Sequence, residues 1–291
     1  MKNLQQFIIS LAISVAPAAA LADDIDVRRD IASDATVSVS NIAGSIEITT
    51  WSRNEVHLTG ETGPNQELIV TESDQGIRFE IREIEKKSYS GESDLELVVP
   101  ATASIVAIGV SADITISGSR GARLTAESVS GDVEVEADVG RADLESVSGD
   151  VLFRGSAERT YAESVSGDVE IHGVGGEVDV QSVSGDAIVF ASIVTLGKFE
   201  SVSGSLELDL EAADGGRLTI ATMSGDVILN LPASQSAEFS AQSFSGDIDS
   251  RFGEVKHEKY GPGSHLKYSS GNSGTVIRVE SFSGDIDIDH K

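Results

Sequence analysis

The chain has 291 residues, 40% of them hydrophobic, and sets 48 acidic residues against 21 basic ones for a formal net charge of −27. That hydrophobic content is ordinary for a folded chain and excludes disorder as the source of the acidity, while the charge disfavours nucleic acid and anionic lipid and favours cations or basic partners. The absence of cysteine excludes disulfides, thiol redox chemistry and thiolate metal sites.

At the N-terminus, Lys2 precedes an apolar run from Phe7 to Ala16 and the small residues Ala18 to Ala22, with Asp23 and Asp24 beyond. This pattern predicts a secretory signal peptide over 1–22, cleaved after Ala22. The run is too short to span a bilayer, and no later apolar segment reaches spanning length. The expected mature chain, 23–291, is therefore exported to the periplasm or cell surface and carries no integral membrane segment.

A two-strand frame recurs along the mature chain. It first appears at Val37, Val39, Ile42, Gly44, Ile46 and Ile48, where apolar residues alternate with polar ones on both sides of a glycine. Such period-two alternation predicts half-buried strands. Residues 54–100 lose the frame and become charged; a strand is expected at Ile77 to Ile81 and a loop from Glu83 through Lys87 to Glu92. This segment reads as a cap or an insertion, because a terminal coil needs something atypical on its uncovered edge. The frame returns at Ile105 to Ile116, with Ala112 in the glycine slot.

From residue 128 the unit is Ser-Val-Ser-Gly-Asp, with Gly131, Gly149, Gly167 and Gly185 each 18 residues apart. Looser copies are centred on Gly204, Gly225, Gly246 and Gly284. The residue two before the glycine is always apolar (Val129, Val147, Val165, Val183, Val202, Met223, Phe244, Phe282), which predicts an inward plug at a corner. Glycine is expected for positive φ, and the following Asp for bonding nearby turn amides. Residues 251–274, with Gly261, Pro262 and Gly263, are expected to form a loop region. The predicted fold is an all-β solenoid of 18–21-residue two-strand coils, because stacking coils explains why Ser, Val, Gly and Asp recur together. The alternative is an antiparallel β-meander.

The motif Leu97-Val98-Val99-Pro100 before a strand, the Ser-x-Ser-Gly-Asp-[Val/Ile] repeats, and Gly274 to Ile277 leading into Ser281 to Ile288 resemble a family of exported bacterial β-strand-repeat domains of the adhesin-like class, otherwise a domain of unknown function. The resemblance covers most of the mature chain. It implies a β-solenoid at the cell envelope, and some Gram-positive relatives are linked to envelope-stress or antimicrobial-peptide responses. No catalytic residues transfer with it.

Candidate chemistry lies first in the row Asp132, Asp150, Asp168, Asp186 and Asp226, continued by Asp247 and Asp285, and in a second row, Glu127, Glu145, Glu163 and Glu200. Stacked about 4.8 Å apart, neighbouring carboxylates repel by about 0.9 kcal/mol even in water. Hydrogen bonds, salt or bound cations must relieve that repulsion, and calcium, which takes carboxylate oxygens, is the candidate ion. The nine-residue glycine-rich calcium-binding roll pattern is absent, and no other cofactor is expected.

A locally basic stretch, Lys256, His257, Lys259 and Tyr260 with His265, is a candidate partner-binding loop. No Ser-His-Asp or His-x-x-x-His spacing exists, and the serine ladder has no accompanying base, so no catalytic residues are expected. The leading expectation is a non-enzymatic envelope scaffold or adhesin-like binding protein whose acidic surface holds an envelope protein, a glycan or a cationic peptide. The alternatives are a β-helical carbohydrate-active enzyme, whose acids and bases should depart from the repeat, and a cation- or cationic-peptide-binding surface.

Overall fold

The computed structural model describes residues 23–85, 91–257, 263–272 and 274–291. The expected signal peptide, the lysines of the 83–92 loop, and Lys259 and Tyr260 lie outside them. The regular elements among the described residues are 21 strands, joined in one sheet from Asp24–Asp30 to Ile286–His290. No helix among them is long and apolar enough to cross a membrane.

The centre of the molecule follows directly from the alternation. Val133, Val151, Val169 and Ala187 lie side by side in parallel register, and so do Leu124, Ala142, Thr160 and Val178. Two inward-facing stacks thus meet, and residues such as Phe153, Phe199, Val189 and Leu208 are fully buried between them. Long neighbours face short ones along the stack, Leu124 and Ala126 beside Ala142 and Leu144, so that large and small side chains interdigitate. Parallel pairing of successive units makes this a solenoid and excludes the meander.

The corner differs from expectation in three ways. Val129, Val147, Val183, Val202, Met223, Phe244 and Phe282 all point into solvent, and the buried corner residue is the serine or threonine just before each of them. The reason is hydrogen bonding. Ser164 Oγ accepts from the Gly167 amide at 2.9 Å and donates to the Gly149 carbonyl of the adjacent coil at 3.1 Å. A buried corner removes both backbone groups from the strand ladder, and a hydroxyl satisfies them where a valine cannot.

Gly44 of the first coil has the expected positive φ, but the corner glycines from Gly131 to Gly284 do not. They are glycine because of close approach: a Cβ on Gly167 would sit 2.2 Å from the Gly149 carbonyl oxygen, and one on Gly204 would sit 1.8 Å from that of Gly185. The Asp carboxylates from Asp132 to Asp226, and Asp285, finally, bond the adjacent coil and not their own turn. Asp132 Oδ1 accepts from the Asp150 amide at 2.9 Å, and Asp150 Oδ1 from the Asp168 amide at 2.8 Å.

At both ends, order in space departs from order in sequence. The first coil, Thr36–Trp51, lies between Ser104–Ser119 on one side and the strands Gly76–Glu83 and Ser93–Pro100 on the other. Antiparallel strands cover these: Gln66–Ser73 on the first, and Glu55–Glu61 on the second, with charged Asp24–Asp30 outermost. Residues 54–100 therefore supply a further coil as well as a cap.

The C-terminal end repeats the device. The coil of Val276–Ser281 and Ile286–His290 is inserted between the Gly225 and Gly246 coils. The expected loop region 251–274 contains two strands, Val255–His257 and Ser264–Ser269, which run antiparallel to each other, the second also antiparallel to Glu238–Ser243. This hairpin fills the sequence between Gly246 and Gly284 that the spacing alone would give to one more coil.

Candidate functional site

On the flat face before each corner, three outward columns run along the stack. The outermost holds Arg123, Arg141, Arg159, Glu177 and Leu196; the middle one Thr125, Asp143, Tyr161, Asp179 and Lys198; the one nearest the corner Glu127, Glu145, Glu163, Gln181 and Glu200. The middle column changes chemistry at every coil, which nothing in the repeat requires.

Asp143 is the anchor of this face. Its carboxylate is 8% exposed, and it is held by Arg123 Nη2 and Arg141 Nη2, each at 2.8 Å, with Arg141 Nε also donating to it. A buried carboxylate is costly unless paired, and two guanidinium groups provide the pairing. The bond to Asp143 in turn raises the Arg141 pKa. One coil on, the Tyr161 hydroxyl donates to Glu163 Oε2, and partial burial together with that bond pushes the phenol pKa well up. Lys198 Nζ donates to Glu200 at 2.8 Å and stands 4.0 Å from Asp179, and the Glu200 bond raises its pKa. Glu145 is held above the ordinary glutamate pKa, first by desolvation and then by Glu127 and Glu163 beside it.

Between these groups lies an open depression of about 420 Å³, lined among others by Arg141, Arg159, Tyr161, Asp179, Leu196 and Lys198. Its origin is a break in the stack. The register between Gly176–Ser182 and Ala187–Ser201 slips by one residue, from Gly176 opposite Val194 to Glu177 opposite Leu196. That extra residue is the one that makes Gly185 to Gly204 a 19-residue interval. Gly197 then leaves room where a Cβ would run into Leu218 and Phe199 at 2.7 Å.

Of the sequence-derived sites, the row Glu127, Glu145, Glu163 and Glu200 lies on this face as its column nearest the corner, and the others fall elsewhere. Asp132, Asp150, Asp168 and Asp186 do stack; Ser205 follows Asp186, and Asp226 begins a second run through Asp285 to Asp247. Each except the last, Asp247, uses Oδ1 to accept a neighbouring amide. Among the described residues no group of three or more His, Asp or Glu converges as metal ligands. Lys256 pairs in register with His265 across the end hairpin, and His257 Nδ1 lies 2.9 Å from Ser264 Oγ. His172 packs on Phe190 and contacts Glu170. The structure thus brings together Asp143, Tyr161 and Lys198, which sequence reasoning passed over. Their signal was present: each stands six residues before a corner glycine, in an aligned position that changes residue type from coil to coil.

A parallel β-solenoid whose coils turn on a recurring serine–glycine corner defines a β-repeat protein. The chain belongs to the Toastrack family, DUF4097, whose model matches residues 18–193 and again 114–289. Among solved structures it is similar to a candidate cell adhesion protein from Clostridium sporogenes (11% identity, 92% of this chain and 100% of the other, TM-score 0.25). It is likewise similar to candidate adhesins from Bacteroides fragilis (12%, 92% and 97%, TM-score 0.43) and Parabacteroides distasonis (11%, 91% and 97%, TM-score 0.26). No curated protein matches the sequence.

Proposed function

We propose that this protein is a non-enzymatic binding protein of the bacterial envelope, exported to the periplasm or cell surface, which holds a partner on its acidic solenoid at the depression around Tyr161. The observation that carries this reading is the middle column, where Asp143, Tyr161, Asp179 and Lys198 depart from the repeat beside the depression. A rigid stack keeps such side chains pre-organised, which lowers the ordering cost of binding. Paired acids and bases around an aromatic ring suit a hydroxyl-rich or mixed-charge partner, a glycan or an envelope protein. The test is capture from cross-linked envelope extract, with calcium and with a chelator, comparing wild type with the triple variant Arg159→Ala, Tyr161→Ala, Lys198→Ala. One species retained stoichiometrically by wild type and lost by the variant supports the reading; equal retention by both removes the depression from it. Loss in the chelator arm alone would give the Asp rows a cation-dependent role.

The same departure from the repeat favours a second reading, a β-helical carbohydrate-active enzyme, since Glu163, Asp179 and Arg141 stand near a tyrosine. Release of oligosaccharides from envelope polysaccharide, abolished by Tyr161→Phe, would establish it in place of the first.

A further inference from the structure

The apolar row at the corner has no task inside the fold. Val129 is 46% exposed, Val202 42%, Met223 60% and Phe282 59%, and Phe282 stacks on Phe244 in the open with ring centroids 5.0 Å apart. With the coils about 4.8 Å apart, the eight coils from Gly131 to Gly246 carry this ridge over about 34 Å. A contiguous exposed apolar line of that length on a highly charged protein marks an interaction surface.

Its flanks state what the partner must be. Three residues beyond the ridge runs the exposed row Asp132, Asp150, Asp168 and Asp186; two residues before it runs the column Glu127, Glu145 and Glu163. The ridge is an apolar stripe between two lines of carboxylates. A net charge of −27 opposes a second copy of this chain and anionic lipid at such a surface and attracts a basic partner. Spacing selects its conformation. An α-helix returns a side chain to one line about every 5.4 Å, close to the step between coils, whereas a strand returns one about every 6.7 Å and falls out of step after two coils.

We propose that the corner ridge is a docking surface for a basic amphipathic α-helix of a partner protein, with its apolar stripe along the valine–methionine–phenylalanine row and its Lys and Arg side chains against the flanking carboxylates. This deepens the reading of the protein as an acidic binding scaffold and rests on it, but at a surface distinct from the Tyr161 depression.

The test measures binding of a labelled 18-residue Leu/Lys peptide with its leucines on one helical face, beside a peptide of the same composition with leucines scattered round the helix. Fluorescence anisotropy with the purified protein at physiological salt is expected to show at least tenfold tighter binding of the amphipathic peptide. The triple variant Val147→Ser, Val183→Ser, Met223→Ser should lose about tenfold while keeping the wild-type melting temperature. Asp150→Asn with Asp168→Asn should weaken binding and flatten its salt dependence. Equal binding of the two peptides, or an unaffected ridge variant, overturns the ridge as a helix site and leaves the acidic scaffold standing. Binding of neither peptide at any salt concentration overturns both the helix site and the scaffold's preference for basic partners. A concentration-dependent dimer abolished by the ridge variant also overturns the proposal, by assigning the ridge to self-association.

Discussion

The central coils, from Gly131 to Gly204, and the two ends are built from the same strand pattern but solve different problems. In the centre each coil lies on the one before it in sequence, so one local unit is sufficient: a serine inside, a glycine against the next carbonyl, an Asp bonding one coil along. At the ends the chain runs past a slot, turns back through antiparallel strands, and fills the slot later. A stack that simply stopped would leave an open parallel edge, which templates association. Burying a terminal coil between two others, under an antiparallel cap, removes that edge and ties distant residues together.

The largest expected effect tests the end. Truncation after Thr275 removes the inserted coil, which leaves the Gly225 coil uncovered and Glu238–Ser243 without its parallel neighbour. Hydrogen exchange should show protection lost across 227–257 and 263–269 and retained across 133–189. Protection that persists through 239–250 would show that the inserted coil is dispensable.

Next come paired glycine substitutions. Gly167→Ala, which would place a Cβ 2.2 Å from a backbone oxygen, should cost about 3 kcal/mol in urea unfolding. Gly215→Ala lies within the strand Leu206–Thr222, at φ +73° with nothing within 4 Å, so it meets only the backbone penalty, about 1 kcal/mol. Equal costs would mean that close approach of coils is not what the corner glycines serve.

A smaller loss follows from Ser164→Ala, about 1–2 kcal/mol, because two buried backbone groups lose their partner. Ser164→Thr should restore most of it, since Thr222 Oγ1 already accepts from the Gly225 amide at 3.0 Å.

The smallest effect is electrostatic and confined to the centre. Partial burial, Glu127 and Glu163 keep Glu145 protonated to higher pH in the fold than in the unfolded chain. The fold therefore binds more protons over that window, and stability falls as pH rises from the ordinary glutamate value through the raised one. Glu145→Gln should melt above wild type at neutral pH, and the difference should close as pH falls through the ordinary glutamate range. A constant difference across pH would assign the effect to packing.

Much of the fold was legible because the solenoid is a local code repeated. Alternation marked Val133 and Val135 as inward, the 18-residue interval marked the coil, and the recurrence of Ser and Gly marked the corner. The sense of the corner was not legible. Ser-Val-Ser reads equally as valine in or serine in, and the choice depends on carbonyls of the neighbouring coil that the sequence does not display. Of the candidate site, Asp143 and Tyr161 are hidden because recurrence marks the corner, whereas this mixed-charge face is written where recurrence fails.

By itself, then, the sequence determined strand periodicity, solenoid class, an acidic composition and the places where the repeat breaks, since each can be read within single coils. Tertiary structure alone decided which coil occupies which slot at the ends, which corner side chain is buried, and that Arg123 and Arg141 meet on Asp143. A parallel β-stack demands register from its neighbours and little else, so any coil of the right pattern fits any slot, and only long-range pairing chooses among them.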